Sequence, residues 1–352
     1  MMERRRICEL WERGDTCALV TLVRVEGSSY RRAGARLLIA ANGEYAGSVS
    51  GGCLEAEVVR KAQWLVRDGR AVVERYSTLF DDTAEIPYGL GCGGMVDLLI
   101  ERTDTPECIA LMEAMKVSLH GEQSRVVTWL PEGDAVLRRE ISDENDATIF
   151  RSASVPSSHA EVFAEYLDAP QRLIVIGAGD DAQPMVRMAA LLGWSVTVID
   201  GRAQWARAER FPEAERVMAT STLEGFNVRE CDAVVIMTHS YEQDRVWLAA
   251  LLPKAPRYLG LLGARHRSAL LVSEAAGMLG WPVERVCEGL FAPVGLDLGG
   301  DGAEAIALAT VAEVQACCEG KLGVSRRMTA DMVTEQIAEG GASRYLQTQC
   351  VL

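Results

Sequence analysis

The chain has 352 residues, enough for about two domains, and with 49% hydrophobic and 24% charged residues it can build a sizeable core, which excludes disorder over most of its length. A net charge of −14 argues against general binding to nucleic acid or anionic membranes, though a local basic cluster can still hold a small anion. Ten scattered cysteines are too few for a disulfide scaffold, and no run reaches the roughly 18 apolar residues of a spanning helix, so a soluble cytoplasmic protein with reduced thiols is expected. The start carries Arg4, Arg5 and Arg6 with no apolar stretch behind them, which does not make a signal peptide.

In chain order, residues 1–150 read as a β-rich α+β domain. Strands are expected at 18–25 and 35–40. Asn42-Gly43 is the pair that suits a two-residue hairpin, returning through 44–49. Ser50-Gly51-Gly52 breaks the strand, and a helix runs from about Cys53 to Arg67, with Glu55 and Glu57 in its first turn, where negative charge suits the dipole. Further strands are read at 71–76 and 95–101, a helix at 105–119, and strands at 125–130 and 135–140. The polar stretch 143–158 reads as linker, and the domain division places the linker at 151–170. Residues 171–320 then alternate strand and helix, the mark of a parallel, Rossmann-like sheet: strands at 172–176, 195–199, 232–237 and 257–262, and helices at 181–192, 265–278 and 303–317. Residues 321–352 form a C-terminal tail, read as a helix with a looser end.

The second domain carries the G-x-G-x-x-A pattern at Gly177, Gly179 and Ala182, between a strand and a helix. Asp200 ends the next strand, 21 residues past Gly179, where a carboxylate would take a ribose diol. Asp180 and Asp181 stand where a pyrophosphate would rest, and a carboxylate there competes for the same dipole. Dinucleotide binding and simple helix capping therefore both stay open. His239 follows a strand end that lines such a crevice, and it reads either as a functional group or as a side chain satisfying a loop carbonyl. With only four histidines, none at ligand spacing with another, a structural zinc site is not expected.

Two glycine–cysteine loops mark the first domain. Cys53 follows Gly51 and Gly52 at a helix start, where free amides and the dipole would favour thiolate. Cys92 lies between Gly91 and Gly93 in a second loop, 88–94, whose amides can form an anion nest. Upstream, Ser28, Ser29, Arg31 and Arg32 offer hydroxyls and guanidinium groups, with Arg36 beyond. Tight turns with a small apolar filler would explain either cysteine alone. Together they point to a site of thiolate and backbone donors for a phosphorylated, sulfur- or metal-bearing ligand.

These stretches carry a resemblance. Gly27-Ser28-Ser29-Tyr30-Arg31-Arg32-Ala33-Gly34-Ala35, Gly47–Glu55, Gly89–Gly94, Thr238–Asp244, Tyr258–Arg265 and Ala292–Gly299 are similar, in order, to motifs of the xanthine dehydrogenase accessory factor family (XdhC/CoxI), over nearly the whole chain. The resemblance implies a maturation chaperone rather than a turnover enzyme: it would bind molybdenum cofactor in its molybdopterin form, assist sulfuration of the metal, and deliver it to an apo molybdenum hydroxylase. A cysteine desulfurase is then the implied sulfur donor, and a homodimer is compatible. Cys53 and Cys92 would handle sulfur or contact the cofactor, Cys92 as the contact to molybdenum, a metal that thiolates suit. Ser28, Ser29, Arg31, Arg32, Gly51, Gly52, Gly91 and Gly93 would cradle it. Many members have histidine after the second glycine of the Rossmann turn, where this chain has Asp180, which bears on any nucleotide role of Gly177, Gly179, Asp200 and His239. The alternatives are an NAD(P)-dependent oxidoreductase using that crevice and a nucleotide-free docking module for the client enzyme.

Overall fold

The run Thr16–Glu26 has six consecutive buried residues, so it is a strand covered on both faces rather than one that alternates inside and outside. The computed structural model describes residues 1–77, 94–132, 136–153 and 161–323, and it divides the chain into the units Met1–Ala169 and Pro170–Arg326. In the first unit α1 (Met2–Glu12) precedes β1 (Thr16–Glu26), β2 (Arg36–Ala40), β3 (Tyr45–Gly47), α2 (Glu55–Leu65), β4 (Val72–Ser77) and β5 (Met95–Arg102). The strands form one antiparallel sheet in the order β3-β2-β1-β5-β4. Next come α3 (Pro106–Ser118) and an antiparallel sheet of β6 (Ser124–Trp129), β7 (Arg138–Asp143), β8 (Thr148–Arg151) and β9 (Val162–Leu167), ordered β8-β7-β6-β9. Thr105 caps α3 by accepting from the Cys108 amide, and Pro106 fills the first turn, where its missing N–H does no harm.

Side-chain alternation explains the layering. Ala18, Val20, Leu22, Leu37, Ile39, Leu98 and Ile100 face α2 through Val58 and Ala62. Leu19 and Leu38 face the other way, onto Ile7 and Leu10 of α1 and Leu111, Met112 and Met115 of α3, and that cluster continues into Val126, Ile141 and Leu167 of the second sheet. Ion pairs tie the two sheets: Arg36 of β2 pairs with Glu165 of β9, and the fully buried Arg139 donates to both Glu101 oxygens at 2.9 and 3.0 Å, to the Glu107 carbonyl at 2.7 Å and to Thr128 Oγ1 at 3.1 Å.

Two expectations are corrected in this unit. The stretch 143–158 is not all linker, because β8 pairs with β7 within it, and β9 pairs with β6 just beyond it. The hairpin loop is one residue longer than Asn42-Gly43 implied: the Gly43 amide donates to the Ala40 carbonyl, Gly43 takes φ +86°, and the Ala40 amide meets the Glu44 carbonyl, which is a turn followed by a bulge. The arginine-rich start, where no element was read, is a helix that buries Ile7, Cys8 and Leu10.

The second unit is a five-stranded parallel sheet in the order β12-β11-β10-β13-β14, built from β10 (Arg172–Ile176), β11 (Ser195–Asp200), β12 (Arg216–Ala219), β13 (Ala233–Ile236) and β14 (Tyr258–Leu261). Chain order reverses at β10, between β11 and β13, which creates the Rossmann crevice. Of its helices, α4 (Ala182–Leu191) and α8 (Ala303–Cys318) pack on one face. On the other lie α5 (Tyr241–Leu251), α6 (Arg265–Leu279) and α7 (Val283–Glu288). Among the described residues no helix is long and apolar enough to cross a membrane.

Candidate functional site

The first glycine loop is folded around a carboxylate. Glu55 is 3% exposed, and its Oε1 accepts from Ser48 Oγ at 2.6 Å, the Val49 amide at 3.0 Å and the Ser50 amide at 2.9 Å. Its Oε2 accepts from Ser50 Oγ at 2.5 Å and the Gly52 amide at 2.9 Å. Burial alone would raise this carboxyl; the Ser48 and Ser50 hydroxyls and the Ser50 amide outweigh it and hold the pKa down to about 2. Ser50 Oγ in turn accepts from the Cys53 and Leu54 amides at 3.1 and 2.9 Å, and Ser48 Oγ from the Gly51 amide at 2.9 Å. The expectation of free amides at this helix start is therefore corrected, because Ser50 engages those beside the thiol.

Cys53 sits half-buried at the tip of this scaffold, its Sγ 3.6 Å from the Ser50 carbonyl. A narrow cleft brings it together with Ser28, Ser29, Tyr30 and Ser50. The second loop, with Gly91, Cys92 and Gly93, lies outside the described residues. Its last residue, Gly94, packs so closely on the upstream segment that a Cβ there would meet the Ser28 carbonyl oxygen at 2.1 Å. Arg31 and Arg32 line a different cleft of about 390 Å³, with Arg4 and Arg36. All eight described cysteines are free thiols, and Cys8 and Cys108 serve as core filler: burial pushes Cys8 up to about 11 and Cys108 well above its ordinary value. Among the described residues no group of three or more His, Cys, Asp or Glu is placed to hold a metal ion.

The Rossmann turn has the expected shape but is occupied by the chain's own groups. Gly177 has φ +121°, and a Cβ on it would meet the Met237 carbonyl oxygen at 2.3 Å, so only glycine lets the turn pass β13. Asp200 is buried: Oδ2 accepts from the Ala178 amide at 2.8 Å and Arg202 Nη2 at 2.7 Å, while Oδ1 takes the Arg202 amide and Nε at 2.8 and 2.9 Å. Burial pushes this carboxyl up, but the Arg202 and Ala178 hydrogen bonds prevail and lower it. Asp180 accepts from Arg210 at 2.7 Å, and that guanidinium also donates to the Ala178 carbonyl at 2.6 Å. His239, in the left-handed region at φ +61°, reaches Asp181 at 2.7 Å through Nε2. Thus His239 has a carboxylate partner rather than a loop carbonyl. Gly179 lies under that contact, and a Cβ added to it would meet Asp181 Oδ1 at 2.4 Å.

Sequence reasoning placed Ser28, Ser29 and Cys53 together, but it read Glu55 only as a helix-dipole acid. The sequence offered only the three-residue spacing of Gly52 and Glu55; in the structure Glu55 accepts from the Gly52 amide as the first residue of the helix, ahead of any capping-box position. Arg4 was missed because nothing in the sequence shows α1 returning to the 31–36 segment.

A thiol loop on a layered α+β unit, followed by a Rossmann unit, matches two family descriptions: residues 10–77 match "XdhC and CoxI family" and residues 173–314 match "XdhC Rossmann domain", together more than half of the chain. The chain belongs to the XdhC/CoxI family. It is 29% identical over 320 residues to a probable xanthine dehydrogenase subunit of Bacillus subtilis (strain 168), covering 87% of this chain and 94% of that protein. It is 26% identical over 302 residues to the molybdenum cofactor insertion chaperone PaoD of Escherichia coli (strain K12), covering 86% and 83%. A crystal structure described as a xanthine dehydrogenase from Bacillus halodurans superposes with a TM-score of 0.79 at 27% identity, over 95% of this chain and 99% of that one.

Proposed function

We propose that this protein is a molybdenum-cofactor chaperone: it binds the cofactor as cargo at the N-terminal loops, assists exchange of a terminal oxo ligand for sulfur, and delivers the product to an apo molybdenum hydroxylase of the xanthine dehydrogenase type. The observation that carries this reading is Cys53, a half-buried thiol held by the Glu55 scaffold and sharing a cleft with Ser28 and Ser29. A soft sulfur ligand suits molybdenum, and hydroxyl and amide donors suit a pterin and its oxo groups. The named relatives, one a cofactor insertion chaperone and one called a xanthine dehydrogenase component, support the same cargo and client class. In this reading Cys92 is the second thiol, a cysteine desulfurase supplies the sulfur, and the Rossmann unit acts without a nicotinamide cofactor, its turn being held by Asp180, Asp181 and their partners.

The test is anaerobic cofactor binding by wild type, Cys53→Ala and Cys92→Ala. Saturable binding by wild type that is lost or sharply weakened in either variant is expected. Equal binding by all three would move the site away from the thiols, and absence of binding by wild type would overturn the reading.

A further inference from the structure

The cleft beside the thiol loop has a charge opposite to that of the molecule. Four guanidinium groups line it, from Arg4 on α1 and from Arg31, Arg32 and Arg36 on and after the β1–β2 connection, in a chain of net charge −14. Two of them are paired with carboxylates: Arg31 with Glu3, and Arg36 with Glu165. Both still carry a buried Nε with no acceptor, and the Arg36 side chain is only 5% exposed. Arg4 donates only to neutral oxygens, Ser118 Oγ at 2.8 Å and the Asp168 carbonyl at 2.7 Å. Among the described residues Arg32 has no ion-pair or hydrogen-bond partner for its side chain, and it is exposed. Burial first, and then the neighbouring Arg36 charge, pull Arg4 below its ordinary pKa; Glu165 and Asp168 offset this only in part. Among the described residues a surplus of positive charge therefore remains in the cleft, four guanidinium groups against the Glu3 carboxylate on Arg31 and the Glu165 carboxylate on Arg36.

We propose that this cleft is a binding site for a phosphate monoester, with Arg32 and Arg4 as its principal ligands and Arg31 and Arg36 as the charge behind them. A monoester dianion matches a surplus spread over several guanidinium groups, whose planar forks donate in pairs to phosphate oxygens. Tyr30 lines both this cleft and the thiol cleft, and it rests on Gly51, whose Cβ position would lie 3.6 Å from the Tyr30 Cβ. One ligand with a phosphate at one end and a thiophilic centre at the other can therefore lie across Tyr30. The proposal rests on the cofactor reading only in joining the two clefts into one site.

The probe is inorganic phosphate, titrated calorimetrically into the full chain at low ionic strength and pH 8, with chloride as control. Wild type and Cys53→Ala should show the same single saturable site. Arg32→Gln, which breaks no side-chain ion pair or hydrogen bond among the described residues, should weaken it about tenfold or more, the usual size of a lost charge-assisted pair. Arg4→Gln should act in the same direction, with its thermal unfolding checked because Arg4 also ties α1 to Ser118. No saturable binding by wild type, or equal affinity in wild type and Arg32→Gln, overturns the proposal. A second arm separates it from the cofactor reading: phosphate should compete with the molybdenum cofactor for wild type. Cofactor binding that depends on Cys53 but ignores saturating phosphate refutes the joined site and leaves the thiol reading standing. Arginine-dependent phosphate binding with no cofactor binding by any variant supports the phosphate site and sinks the cofactor reading.

Discussion

Replacing Glu55 with glutamine should loosen the thiol loop without changing its shape in space. The carboxylate accepts five hydrogen bonds, three on Oε1 and two on Oε2, all from Ser48, Val49, Ser50 and Gly52. A glutamine amide turns one acceptor into a donor, so in either orientation its NH2 faces N–H or O–H groups aimed at it. The pKa, lowered from 4.5 to about 2, sets the scale: at about 1.36 kcal/mol per unit, the folded loop favours the ionised form by about 3 kcal/mol. Because the folded value lies below the unfolded one, this contribution is complete above about pH 4.5 and is lost as pH falls toward 2. Amide exchange over 47–55 should therefore speed up by about a hundredfold in Glu55→Gln at pH 7, provided the loop opens locally. The urea-unfolding gap between wild type and variant should narrow between pH 4.5 and 2. A gap below about 1 kcal/mol at pH 7, or one that stays constant through the acid range, would refute the account of Glu55 as the loop's anchor.

Three further outcomes follow from particular contacts. Gly47→Ala should be far more damaging than Gly52→Ala, although both glycines have positive φ, because a Cβ at 47 would meet the Arg36 carbonyl oxygen at 2.2 Å while one at 52 meets nothing within 4 Å; thermal unfolding ranks them. Arg139→Met should destabilise the first unit by about 3–5 kcal/mol, since it leaves Glu101 buried and unpaired, and adding Glu101→Leu should restore part of the loss in urea denaturation. Asp200→Asn should cost the Rossmann unit about 1–3 kcal/mol at pH 7 through its Arg202 and Ala178 contacts. Its carboxyl is held below the ordinary 3.8, so that stabilisation is present above pH 3.8 and is lost below it, and the thermal-unfolding difference should shrink there.

The Rossmann half was legible because its signals are local. Leu173–Ile176 is an apolar run of strand length ending at Gly177, and the glycine spacing fixes the turn that follows. Its shortfalls were the helices Tyr241–Leu251 and Val283–Glu288, at which no element was read, and Arg216–Ala219, an edge strand only half buried with three apolar residues to mark it. The first half was harder, since its organisation depends on contacts distant in sequence. Met2–Glu12 carries three consecutive arginines, of which only Arg5 and Arg6 are exposed, and shows its three buried residues only against α3 and the sheets. Val162–Leu167 alternates weakly, and the polar residues before it drew the linker boundary too widely. At the site, the residue types were visible and their partners were not. Cys53 stood out by its glycines, but that Ser50 takes the amides beside it is a matter of backbone path. Likewise Asp200 matched its spacing, while its engagement by Arg202, two residues on, belongs to the turn's geometry.

The Asp200–Arg202 contact also sets how the crevice meets any sugar diol from solution. Arg202 is an intramolecular rival, tethered two residues away and therefore present at a high effective concentration at all times. An outside ligand sees an acid that is available only for the fraction of time the guanidinium has swung away, and its apparent dissociation constant rises by the inverse of that fraction. Substitution at 202 would release only the guanidinium contacts, because the Ala178 and Arg202 amides hold Asp200 whichever side chain follows, so any diol would still have to share the acid with two backbone donors.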